Sequence, residues 1–303
     1  MRRGGDSSGK VATMHDAVAD LVRDGDTVAI EGFTHLICFA AGHEIIRQGR
    51  RDLDLVAPIS DSLFDQLVGA GCARRVTAAW VGNVSEGLGH NYRRAAERAE
   101  PLPLEIHDHS NFSVSLALWA AAWGAPYIPT RTLLGSDLLR SNPDLSQVGD
   151  AVHVAALRPD LAILHVQRAD AEGRAHCWGP LGVAEEAALA AGAVILSCEE
   201  LVDREVTLSD PNRVLVAESK VVAVVHEPGG AHPAPVQGYW RRDHGFMRRY
   251  GERSRTREGY LEWLQEWVLG VEDRAAYLRK LGDPAALRVH HHRLSAPVDY
   301  GDE

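Results

Sequence analysis

Directly after a short apolar run, Thr27–Ile30, the chain places a carboxylate, a glycine, a hydroxyl and an imidazole in five consecutive positions: Glu31, Gly32, Phe33, Thr34 and His35. If the run is a buried strand, these residues form the loop at its carboxyl end, where open α/β sheets bind ligands. Gly32 lets the backbone approach a ligand closely. N–H groups entering the helix that follows would point at negative charge, as in an oxyanion hole. Glu31 has two readings. It ends the strand with its side chain toward solvent or a partner, or it acts as a general base or substrate-positioning carboxylate. His35 could hydrogen-bond a substrate carboxylate or simply pack.

Other chemistry-bearing residues follow later strands. Asn83 and Glu86, in Gly82-Asn83-Val84-Ser85-Glu86-Gly87, should face the same crevice: Asn83 to position a substrate, Glu86 as a further acid, base or solvated loop residue. His107 and His109 share one face of a strand, feasible for two metal ligands, but no third ligand stands at supporting spacing. A hydrogen-bonded strand end is the expectation, and no metal site is assigned. His290–His292 reads as solvated. There is no Walker loop, no GxGxxG fingerprint, and no GxSxG elbow at a predicted strand-to-helix turn. Trp80, Trp119, Trp123, Trp178 and Trp240 could form a bulky apolar pocket or a core.

The elements that would carry these residues alternate. Thr13, with Asp16 three positions on, starts a helix whose apolar face is Met14, Ala17, Val18, Leu21 and Val22. Strands are predicted over 27–30, 53–57, 76–80 and 104–107, with helices over 40–48, 61–68, 92–99 and 112–123. Residues 125–150, with Pro126, Pro129, Gly135 and Pro143, read as a long irregular connection. Further strands are expected over 161–166, 194–197 and 221–225, a helix over 184–191, and a helical section from 242 to 281. In the last, Tyr260, Leu261, Trp263, Leu264, Trp267 and Val268 would form a broad apolar face. The fold class is α/β: an open, mainly parallel sheet with helices on both faces and a helical C-terminal section. Residues 10–282 read as one domain, with 1–9 and 283–303 as flexible tails.

The run Asp24-Gly25-Asp26-Thr27-Val28-Ala29-Ile30-Glu31-Gly32-Phe33 resembles the signature of family I coenzyme A transferase A subunits: an acidic-Gly pair, three apolar residues, then Gly-Gly-Phe. The continuation THLICFAAGHEIIRQGRRDL is similar to the branch containing glutaconate CoA-transferase. Asp65–Val76, Gly82-Asn83, Ala169–Arg174 and His226–Phe246 extend the likeness over roughly residues 10–280. It implies a fold like that of these transferases and of sugar-phosphate isomerases. It also implies ping-pong transfer of CoA from an acyl-CoA to a carboxylic acid through a glutamyl-CoA thioester. The nucleophilic glutamate would lie in a B subunit, because its Ser-Glu-Asn-Gly-like motif is absent here. The A subunit would supply the oxyanion loop, Gly32, Phe33 and Thr34, with Glu31 a further catalytic candidate. His35, Asn83, Glu86 and Asn111 would line the acyl pocket. The implied assembly is a heterotetramer or larger, with CoA thioester as substrate and no tightly bound cofactor.

Two positions depart from the family pattern. Glu31 replaces the first glycine, and Cys38 stands where relatives carry proline. A charged Glu31 would oppose a developing oxyanion. A related branch hydrolyses a ring C–C bond in steroid-derived CoA thioesters with an A-subunit glutamate. That residue aligns near Asn111, which cannot exchange a proton. The rival readings are such a hydrolase and a non-catalytic relative whose loop has decayed.

Composition sets outer limits. Lys and Arg total 32 against 42 Asp and Glu, a formal charge of -10, which disfavours nucleic acid or an anionic membrane as the main partner. The four cysteines, Cys38, Cys72, Cys177 and Cys198, are too dispersed for a metal knuckle or CxxC pair. The polar N-terminus lacks the apolar run of a signal peptide, and no apolar stretch is long enough to span a bilayer. A cytoplasmic location is expected.

Overall fold

The computed structural model describes residues 9–84, 86–282 and 287–289. Most of the two expected tails, and His290–His292, lie outside these residues.

Seven parallel strands form the central sheet, in the spatial order Val221–His226, Ala193–Leu201, Leu161–Ala169, Thr27–Glu31, Leu53–Val56, Ala73–Ala78, Glu105–Asp108. A short strand, Ala175–His176, pairs antiparallel to Leu161–Ala169. The chain enters the sheet in its middle and winds outward through the 53–56, 73–78 and 105–108 strands. It then returns to the opposite flank of the first strand. Thr27–Glu31 therefore has Leu53–Val56 on one side and Leu161–Ala169 on the other, with Glu31 in register with Leu164. This reversal is a topological switch point, where the loops leaving neighbouring strands diverge and open a crevice.

Alternate side chains of each strand feed two cores, as strand geometry requires. On one face Ile30, Leu55 and Ile163 pack with Phe39 and Ile45 of the helix Phe39–Arg47 and with Phe64 of Ser62–Gly69. The C-terminal helices His244–Arg253, Arg257–Leu264 and Arg274–Leu281 close that core with Phe246, Trp263 and Tyr277. On the other face Ala29 and Leu164 pack with Val114 and Leu118 of Asn111–Ala122 and with Ala187 of Ala184–Ala190. The helix starts follow the sequence chemistry. Thr13 caps Met14–Leu21 by accepting from the Asp16 N–H, and Ser110 and Ser113 form a reciprocal cap on Asn111–Ala122. Among the described residues no helix is long and apolar enough to cross a membrane.

Three expectations change. The strand expected at 76–80 runs Ala73–Ala78. Residues 125–150 are not irregular throughout. They contribute to a three-stranded antiparallel sheet of Tyr127–Thr130, Ala151–Ala155 and Leu145–Val148, with a short helix at Leu138–Ser141. Pro129 misleads because it lies in an edge strand, where a missing N–H is tolerated. Val152, Val154 and Leu145 turn inward onto Ala117, so this sheet has a small core of its own. Finally, Leu261 is exposed and does not join the apolar face of its helix.

Candidate active site

The loop at the switch point is held in an unfavourable backbone conformation. Phe33, Thr34 and Leu36 have φ of 43°, 67° and 61°, a region where each non-glycine residue costs about 1–2 kcal/mol. Gly32 makes the turn feasible. A Cβ there would stand 2.2 Å from the His35 carbonyl oxygen, and the His35 N–H closes the turn by donating to the Gly32 carbonyl at 2.9 Å. The conformation persists because two distant segments grip it. On one side the Leu36 N–H donates to the Pro235 carbonyl (3.1 Å), and the Gln237 N–H donates to His35 Nε2 (2.8 Å). On the other side lies the loop Gly179–Val183, with Gly182 against Glu31 and Phe33 and Gly179 against His35.

Glu31 points neither to solvent nor to a surface a partner could cover. It is 2% exposed, on the face of the sheet occupied by the helix Ala184–Ala190. The Val183 N–H approaches Oε1 at 3.4 Å, while Oε2 is buried without a hydrogen-bond partner. Burial raises its carboxyl to about 8, against the weaker opposing pull of the Val183, Gly32 and Phe33 amides, and Glu186 pushes the same way. Near pH 7 the acid is therefore mostly neutral, and the expected conflict between a charged Glu31 and an oxyanion does not arise. The Gly32 and Phe33 amides bear on this carboxyl. Phe33 and Thr34 remain half-exposed at the loop's rim.

His35 is completely buried. Burial drives its ring down to about 3, so it is neutral. Because Nε2 accepts from Gln237, the proton sits on Nδ1, which faces the Pro180 backbone. Nε2 thus ties the ring to the segment that carries Gln237, while Nδ1 is buried without a hydrogen-bond partner.

Beneath the loop, on the opposite face from Glu31, lies a polar cluster that the sequence reading missed. His165 Nε2 bonds Glu199 Oε1 at 2.9 Å, and Nδ1 bonds Ser197 Oγ at 2.9 Å. Burial works against charge on His165, but Cys38 and Glu199 outweigh it and hold the ring at about 9. Glu199 Oε2 accepts from the Gly229 N–H and from Trp240 Nε1, each at 2.9 Å. This pair therefore anchors the segment that delivers Pro235 and Gln237 to the loop. Cys38, buried at the start of the helix Phe39–Arg47, belongs to the same cluster.

The other predicted site residues stand further along the sheet. Asn83 and Glu86 follow the third strand of the series, two strands from Glu31, and Asn111 follows the fourth. At about 4.8 Å per strand these loops start roughly 10 and 14 Å from the switch point. Asn83 is buried, donating from Nδ2 to the Met247 carbonyl (2.7 Å) and accepting the Glu86 N–H (3.2 Å). Glu86 pairs with Arg248 at 3.3 Å. Both thus fasten the 82–88 turn to the helix His244–Arg253. Asn111 is exposed at the first position of its helix. A cavity of 240 Å³ opens beside this turn, lined by Trp80, Leu88, Tyr92, Arg93 and Asp108 among others. The tryptophans do not converge on it. Trp119 and Trp123 pair on one helix, and Trp178 packs near Tyr239. His107 bonds Asp144 (2.6 Å) and Glu105 (2.8 Å), and His109 bonds Ser113 (3.0 Å). Among the described residues no three His, Cys, Asp or Glu side chains are grouped to hold a metal.

A strained glycine-containing loop at the switch point of a parallel sheet, gripped from two sides, belongs to the class of α/β protein in which ligands bind at the strand ends. The sequence profile described as coenzyme A transferase matches residues 11–227, and the chain belongs to that family. Its matched relatives make it an A-type subunit. It is 41% identical to the A subunit of 3-oxoadipate CoA-transferase from Pseudomonas knackmussii, over 90% of this chain and 99% of that one. It is 31% identical to the A subunit of glutaconate CoA-transferase from Acidaminococcus fermentans, over 90% and 92%. The solved structure of glutaconate coenzyme A-transferase from that organism superposes with a TM-score of 0.86 at 29% identity, covering 92% of this chain and 96% of the other. The cholesterol ring-cleaving hydrolase IpdA subunit of Mycobacterium tuberculosis is 28% identical over 87% and 94%.

Proposed function

We propose that this chain, together with a B-type subunit, transfers CoA from an acyl-CoA to a carboxylic acid, with short dicarboxylic acids such as 3-oxoadipate as the first class to test. The observation that carries this reading is the strained loop Gly32–Leu36 at the switch point, in a chain 41% identical to the A subunit of a 3-oxoadipate CoA-transferase. The partner's glutamate attacks the thioester carbonyl and expels CoA thiolate. The thiolate then attacks the resulting acyl-glutamyl anhydride, releasing the first acid and leaving a glutamyl-CoA thioester. The incoming acid reverses these steps. Each addition places negative charge on a former carbonyl oxygen, and the rim residues Phe33 and Thr34 are where this chain meets it. His35 and Gln237 fix the loop, while Asn83, Glu86 and Asn111 shape the neighbouring wall. A neutral Glu31 leaves that charge unopposed.

The decisive experiment co-expresses the chain with its B-type partner, then follows CoA exchange between acyl-CoA donors and 3-oxoadipate or glutaconate. The mass of the purified complex reports a heterotetramer or larger. Transfer by the pair, and none by either chain alone, is expected. Release of free CoA without any acceptor dependence would overturn the reading in favour of hydrolysis.

A further inference from the structure

We propose that Glu31 is a positioning residue: its buried side chain, clamped between Gly182, Val183 and Phe33, locks the strained loop Gly32–Leu36 to the loop Gly179–Val183. This deepens the transferase reading and rests on it for its catalytic consequence. Geometry carries the inference. The side chain is 2% exposed, so it is packed inside the chain and not presented at the rim. A Cβ on Gly182 would come within 2.4 Å of Glu31 Oε1 and 2.5 Å of Phe33 Cβ, so the two loops interlock at a place where only glycine fits. The Val183 N–H adds a polar tie, and the three positive-φ residues just beyond need such a tie to keep their conformation.

The acid works as a lock in its neutral form. Glu186, on the helix behind it, is the charged side chain that bears on Glu31, and Ser115 donates to Glu186 at 3.2 Å. The gripping loop contributes the Val183 N–H, and the neighbouring strand contributes the apolar Leu164. His165 lies on the other face of the sheet, the face that carries Ile163. No cation among these contacts compensates an ionised Glu31. Losing its proton places an uncompensated charge beside Glu186 and loosens the lock.

The test compares wild type, Glu31→Ala and Glu31→Gln in the assembled two-subunit complex. Alanine should lower kcat for CoA transfer on the order of tenfold or more with a smaller change in KM, because the rim loses its orientation. Glutamine, which keeps the shape and the acceptor for Val183, should rescue most of that loss at pH 7. It should also hold its activity at pH 9, where wild type has declined. Failure of glutamine to rescue would mean Glu31 exchanges a proton, and the proposal falls. A gain of activity in Glu31→Ala or Glu31→Gly would mean the side chain blocks the loop, and the proposal falls equally. Thermal unfolding provides an arm independent of any activity. Relative to Glu31→Gln, wild type should lose stability from pH 4.5 up to 8 and show a constant deficit above. An unchanged difference across that range overturns the proposal even if transfer is observed. If no acid accepts CoA, the transferase reading fails while the unfolding arm still decides whether Glu31 is a buried neutral lock.

Discussion

His35 Nε2 accepts a hydrogen bond from the Gln237 backbone N–H at 2.8 Å, joining positions 202 residues apart in the chain. The bond converts a histidine in the candidate oxyanion loop from a ligand-facing group into a strut. It fixes the tautomer, buries the ring and couples the loop to the segment His226–Trp240. A substitution at His35 therefore tests the strut. Alanine leaves the Gln237 N–H without its acceptor and opens a cavity, costing about 2–4 kcal/mol of stability. CoA transfer should fall chiefly in kcat. Thermal unfolding and steady-state kinetics of His35→Ala check both. A variant with native stability and a defect confined to KM would show that His35 contacts the substrate instead.

The pair beneath the loop predicts a pH dependence of defined sign. Folding raises His165 from 6.5 to about 9. Its protonated form is favoured by the native state, so its contribution is complete below pH 6.5 and is lost as pH rises through 9. The shift corresponds to about 3 kcal/mol. Glu31 acts in the same direction over 4.5 to 8, because a raised carboxyl favours the native state only while protonated. The Glu31→Gln background separates the two. In it the melting temperature should still fall between pH 6.5 and 9, and adding Glu199→Gln should flatten that fall by removing the anion that holds the imidazolium. An undiminished slope in the double variant would show that His165 is not charged by Glu199.

What the sequence disclosed was local. Gly32 after a short apolar strand marks the loop, and alternating strand and helix patterns fix the sheet around it. Glu31's burial was invisible because its lid, Gly179–Val183, comes from far along the chain, with Val183 separated from Glu31 by 152 positions. No local pattern says which loop will cover which. His35 stayed open between binding and packing for the same reason, since its partner is a backbone N–H with no side-chain signature. The His165–Glu199 pair did leave a trace. Ser197 and Glu199 occupy alternate positions in a strand otherwise made largely of Ala, Val, Ile, Leu and Cys. Inward polar residues at spacing two in a central strand need a partner across the sheet. Asn83 and Glu86 were expected to face the same crevice; they follow a strand two places along the sheet, and their bonds to Met247 and Arg248 depend on the docking of the C-terminal helices.

Gly182 has φ of +58° and lies against Glu31 and Phe33. Gly182→Ala adds both left-handed strain, about 1 kcal/mol, and a clash with the carboxyl. Gly182 itself is exposed, so the sheet need not unfold. Transfer activity should drop on the order of tenfold while the melting temperature changes by only a few degrees. Combining it with Glu31→Gly, which removes the carboxyl clash but leaves Phe33 Cβ in the way, should recover part of the stability without restoring the lock. Kinetics and unfolding of the single and double variants check this. Wild-type activity in Gly182→Ala would show that the two loops do not work as a unit.

Asp61 and Arg242 form an ion pair at 2.7 Å with both side chains almost wholly buried. Asp61 also accepts the Ser62 and Val84 N–H groups at 3.0 and 3.1 Å, so one carboxylate ties the helix Ser62–Gly69, the 82–88 turn and the C-terminal section together. Removing one partner strands a buried charge, which costs about 3–5 kcal/mol. Arg242→Met should therefore lower the melting temperature sharply and release the turn that carries Asn83 and Glu86. Asp61→Asn combined with Arg242→Met leaves no unpaired ion and should recover much of the loss. A double-variant cycle in urea measures the coupling. Additive effects of the two changes would mean the pair does not join these elements.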